Sequence, residues 1–98
     1  MKYSIQQFTE SLALDRPPAG LEVPLAGLWW DAKGDWDQAH QCVDHLEDQR
    51  GMRVHAYLHR KEGDLGNAAY WYRQVGRTLP DISLEAEHDL LLKEILAD

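Results

Sequence analysis

The chain is poor in the residues on which simple catalytic schemes depend. It has one cysteine and three serines, and no glycine run able to cradle a phosphate. No Gly-x-Ser-x-Gly elbow occurs either, so neither a serine hydrolase nor a nucleotide-binding loop is indicated. Gly63-Asp64-Leu65-Gly66 is too short for such a loop and is explained by helix capping. The lone Cys42 cannot form an intramolecular disulfide, which fits a reducing, cytoplasmic setting. With apolar neighbours and no partner for thiolate activation, it reads as a packing residue. No apolar run reaches bilayer-spanning length, and MKYSIQQFTES lacks the apolar segment of a signal peptide. No membrane contact is therefore expected. Strand signals are missing throughout, so the chain is expected to be all-α.

At 98 residues the sequence is expected to form one domain, 1–98, with room for a single core. Four tryptophans and four tyrosines supply much of its volume. Charge is unevenly spread. Between Arg50 and Arg77 lie six basic and two acidic residues, a net +4. The overall −7 then leaves −11 for the remainder, and the last eighteen residues hold six acids against Lys93. An acidic envelope of this kind argues against nucleic acid as a partner.

Ser4 and Gln7 form a capping box that opens an N-terminal helix within 1–15, with Ile5, Phe8 and Leu12 on one face. That helix is expected to run to about Leu14. Two prolines break it, and 16–23 is an extended connection. A first hairpin follows over 24–48. Pro24 sits in the first turn of a helix ended by Gly34, and Asp35 caps the next, whose apolar stripe is Trp36, Ala39, Cys42, Val43 and Leu46. Gln49-Arg50-Gly51 is read as the turn into a second hairpin, 52–77, with its corner at Gly63-Asp64. Ser83 caps a C-terminal helix over 83–97, with Leu84, Leu91, Leu92, Ile95 and Leu96 on one face. The expected architecture is a compact bundle of five to six short helices, in which terminal helices cap two hairpins.

Laying Gly34 on Gly63 aligns two Gly-Asp corners, each with an alanine five residues after the glycine, Ala39 and Ala68. Val23, Ala26-Gly27, Trp30, Ala39 and Val43 in one hairpin, and Ala56, Ala68, Tyr72 and Pro80 in the other, resemble tetratricopeptide-type repeats. Ala68-x-x-Trp71-Tyr72 also looks like the related Sel1 repeat. The period is shorter than that family's, and His55 and His59 stand at its leucine and aromatic positions. The chain as a whole also looks like small bacterial proteins, which adds no chemistry. The resemblance implies two TPR-like hairpins and a groove that receives a peptide.

Two sets of residues could carry function. Arg50, Arg53, Tyr57, Arg60 and Lys61 recur at three- and four-residue spacings on one helical face. By resemblance, Arg53, Tyr57, Arg60 and Lys61 would grip an acidic peptide or a chain-terminal carboxylate. The acidic last helix, with Glu85, Glu87, Asp89 and Glu94, could equally lie there. Trp29 and Trp30 point about 100° apart on a helix. Trp30, Trp36 and Trp71 are assigned to the core, leaving Trp29 as a hydrophobic anchor for the partner. This gives the leading expectation, a small non-catalytic domain for protein–protein interaction that needs no cofactor.

The second set is His55 and His59, one helical turn apart and able to present two imidazoles to zinc or another divalent transition metal. The His-Glu-x-x-His pattern is absent, so a third ligand has to come from His40, Asp31 or Asp35. That is the alternative, a metal-binding protein or metal-dependent enzyme. Against it stands a purely structural role for both imidazoles, buried and hydrogen-bonded. A structural homodimer formed through exposed aromatics is a third expectation.

Overall fold

The computed structural model describes residues 3–96, and among these it is all-helical with no strand. Residues 1–2, and position 97 of the expected C-terminal helix, lie outside them. Six helices follow in order: α1 (Ile5–Ser11), α2 (Val23–Ala32), α3 (Trp36–Val43), α4 (Gln49–Glu62), α5 (Leu65–Gln74) and α6 (Leu84–Leu96). The helices α2/α3 and α4/α5 form two hairpins. Helix α4 lies at the centre, in contact with α2, α3, α5 and α6, and α6 also touches α1 and α2.

Local chemistry sets most of the ends. Ser4 and Gln7 exchange side-chain and backbone hydrogen bonds in a complete capping box. Asp35 accepts the Gln38 N–H, Asp64 the Asn67 N–H and Ser83 the Ala86 N–H, each satisfying a donor that its helix leaves unpaired. Gly34 and Gly63 both adopt positive φ at the two hairpin corners.

Helix α1 stops at Ser11 rather than near Leu14. The Ser11 hydroxyl donates to the Phe8 carbonyl and accepts the Trp29 indole N–H, while the Lys33 ammonium takes the Leu12 and Leu14 carbonyls. These tertiary partners replace further helical turns. Gly51 is likewise not a turn residue: α4 begins two residues before it and the bend spans 44–48. A Cβ on Gly51 would come within 2.4 Å of the Leu46 Cβ, so this glycine permits close approach. Gly27 does the same where α2 meets α3 and α4, since a Cβ there would meet Val43 and Val54 at 3.1 and 3.4 Å.

The main core gathers Phe8, Leu28, Trp29, Val43, Val54, Leu58 and Leu91 from α1, α2, α3, α4 and α6. Ala56, Ala68 and Tyr72 make a smaller one between α4 and α5. Buried carboxylates tie the layers together. Glu87 on α6 accepts from Arg60 at 2.8 Å and from the Tyr72 hydroxyl at 2.5 Å. Asp31 on α2 accepts from Tyr57 and Lys61, both at 2.6 Å. Burial first, then the hydrogen bond to its carboxylate, pushes each tyrosine far above its usual titration range. Both phenols stay protonated as donors.

Candidate metal centre

The spacing of His55 and His59 places both imidazoles on one face of α4, and His40 of α3 meets them from the neighbouring hairpin. The three Nε2 atoms converge. His55 Nε2 lies 3.1 Å from His40 Nε2 and 3.0 Å from His59 Nε2. These three residues offer ligand atoms all within 4.8 Å of one another. A tetrahedral ion with metal–nitrogen bonds of about 2.0–2.1 Å sets its ligand nitrogens about 3.3 Å apart. The two sides that meet at His55 are therefore only a few tenths of an ångström tighter than coordination requires.

The surroundings fix the rings. Trp36 stacks on His40 with centroids 4.7 Å apart and planes 9° from parallel, and its indole N–H donates to the Leu58 carbonyl. Trp71 of α5 stacks on His55 at 4.3 Å. On the far side of His59, Nδ1 lies 2.5 Å from Glu62 Oε1. An ionised carboxylate only accepts, so Nδ1 carries the proton and Nε2 turns its lone pair into the cluster. Asp44 stands 4.0 Å from His40 Nδ1, an attraction of the same sense without a hydrogen bond. His55 Nδ1 is buried and has no hydrogen-bond partner among the described residues. Nothing on that side dictates which of its nitrogens is protonated.

Protons alone serve this arrangement poorly. An imidazole nitrogen offers one in-plane direction, either a lone pair or an N–H. His55 Nε2 faces two other such nitrogens, so the best available is one proton shared between two lone pairs. A cation in the triangle would accept all three.

Burial, and then the charges of His59 and His40, lower the His55 pKa to about 4, with Asp44 acting in the opposite direction. The ring is neutral throughout the physiological range, as a ligand must be. In the unfolded chain it titrates near 6.5. Between pH 6.5 and 4 the unfolded chain binds a proton that the folded chain refuses. This contribution to metal-free stability is thus complete above pH 6.5 and is lost as the pH falls towards 4, by on the order of 3 kcal/mol. Urea denaturation in EDTA from pH 4 to 7 is expected to show that slope in the natural chain and a shallower one in His55→Gln. Equal slopes would refute it.

The basic stripe lies elsewhere and is occupied by the chain's own acids. Arg53 is buried and pairs with Glu94 at 3.1 Å. Arg60 binds Glu87 and the Ile82 carbonyl, while Tyr57 and the partly exposed Lys61 both hold Asp31. Arg50 lies 3.6 Å from Glu22. Glu87 and Glu94 of the acidic last helix thus cover the α4 face that the spacing offered to a peptide. Trp29 is corrected outright. It has no exposed surface, whereas Trp30 is the partly buried member of the pair. Asp31 serves Lys61 and Tyr57, and Asp35 caps α3, so of the three candidate third ligands His40 is the one that meets His55 and His59.

Two participants escaped sequence reasoning, Glu62 and Asn67. The i, i+3 spacing of His59 and Glu62 was available as a signal. Asn67, whose Nδ2 is 3.4 Å from His59 Nε2, comes from α5 and left none.

Comparison of the chain with protein-family models, curated proteins and solved structures found no match. The tetratricopeptide and Sel1 resemblance accordingly stands on residue spacing alone. The class defined by the fold is a six-helix all-α bundle with a three-imidazole cluster across its two hairpins.

Proposed function

We propose that this chain is a metal-binding helical domain, in which His40, His55 and His59 hold one divalent transition-metal ion between its hairpins. One observation carries the reading: the His55 Nε2 meets those of His40 and His59, from two helices, at 3.1 and 3.0 Å, nearly the separation a tetrahedral ion imposes. The carboxylate behind His59 supports it, since metal-bound histidines typically donate their other N–H to such a group. All-imidazole donors favour zinc, copper, nickel or cobalt over magnesium or calcium, which prefer oxygen.

Elemental analysis and zinc titration of the tag-free protein test this. One zinc per chain is expected, with affinity reduced more than about 100-fold in His59→Ala, beyond the 10- to 100-fold cost of removing a group that merely supports a ligand. No zinc binding at micromolar concentration, or equal affinity in the variant, would refute it.

A further inference from the structure

We propose that the Asn67 side-chain amide supplies the fourth donor to this ion, so that the site is a closed set of three nitrogens and one oxygen. The proposal rests on the three-histidine reading above. Asn67 Nδ2 lies 3.4 Å from His59 Nε2, which is also the edge length, about 3.3 Å, between neighbouring donors around a tetrahedral ion. Its backbone is fixed at the start of α5 because its N–H donates to the Asp64 carboxylate, which caps that helix. Asn67 is an exposed residue, so its side chain can turn while the main chain stays still.

The other groups near the cluster are committed to other tasks. Glu62 stands behind His59 and Asp44 behind His40, both on the Nδ1 sides of the rings. The Trp36 N–H is spent on the Leu58 carbonyl, and Trp71 offers His55 only its ring face. Without metal, the Asn67 NH₂ group donates to the His59 Nε2 lone pair, which the Glu62 contact leaves pointing inwards. An ion that takes this lone pair removes the acceptor and puts positive charge beside a donor. A half-turn about the last side-chain torsion replaces the NH₂ with the carbonyl oxygen, the end of the dipole that a cation attracts. The amide thereby changes from donor to ligand.

Cobalt(II) absorption of the full chain, with azide as the competing small anion, decides the matter. The natural protein is expected to give intense tetrahedral visible bands that azide leaves unchanged. In Asn67→Ala, where water would take the fourth position, cobalt affinity falls at least about 10-fold and azide shifts the bands. Asn67→Asp restores affinity and resistance to azide. Alanine is a better helix former than asparagine and the side chain is exposed, so the fold, checked by circular dichroism, is retained. If azide shifts the bands of the natural protein and of Asn67→Ala alike, at equal cobalt affinity, Asn67 is no ligand and the three histidines stand. If the natural protein binds no cobalt, the three-histidine site falls and Asn67 falls with it.

Discussion

Zinc at about 1,000 times its dissociation constant is expected to stabilise the folded chain by about 4 kcal/mol. For a domain of this size that corresponds to a rise in melting temperature of roughly 15–30 °C. The size of the effect follows from where the ligands sit. His40 belongs to one hairpin and His55 and His59 to the other, so the unfolded chain does not present the triangle. Binding free energy then becomes folding free energy almost undiluted. Differential scanning calorimetry with zinc and with EDTA checks this, and Trp36 and Trp71, stacked on two of the ligands, provide a fluorescence signal of occupancy. His59→Ala should lose the shift. A shift below about 2 °C in the natural protein, or an equal one in the variant, would show that the histidines hold no metal.

The second large effect lies on the opposite side of α4. Glu87→Ala is expected to cost about 3–5 kcal/mol, the usual result of removing one partner from a buried ionic group. The carboxylate is almost wholly buried and joins three helices, taking Arg60 from α4 and the Tyr72 hydroxyl from α5. Its loss leaves that hydroxyl and one face of the guanidinium without an acceptor in a poorly hydrated place. Glu87→Gln keeps an oxygen for one of the two donors and should cost clearly less. Urea denaturation at pH 7 measures both. A loss under about 1 kcal/mol for Glu87→Ala would mean that water reaches and satisfies the group.

Much of the architecture was legible because helix ends are chosen locally. Ser4, Asp35, Asp64 and Ser83 cap the helices they precede, and Gly34 and Gly63 bend where glycine-aspartate pairs indicated. Such signals are carried by three or four consecutive residues. Gly51 failed as a turn marker because a glycine may be needed for its conformation or for its small size, and only the approach of Leu46 distinguishes the two. Trp29 and Trp30 were interchanged for a similar reason. Period fixes the angle between them but not which side α1 covers, and Ser11 settles that from eighteen residues away. At the site, the His55–His59 pair was visible and His40 was among the residues considered. The convergence of their Nε2 atoms was not visible, being set by ring stacking on Trp36 and Trp71 across α3 and α5. The basic stripe was also visible, but its spacing says nothing about whether Glu87 and Glu94 lie over it.

Because two of the three nitrogens ride on a single rod and the third on its neighbour, the cluster acts as a caliper on the seam between α3 and α4. A slide of one helix past the other by a single residue rise, about 1.5 Å, would stretch a metal–nitrogen bond of about 2.0–2.1 Å at His40 to about 2.5 Å, beyond coordination. Whatever grips the triangle therefore also fixes the register of the two halves of the molecule.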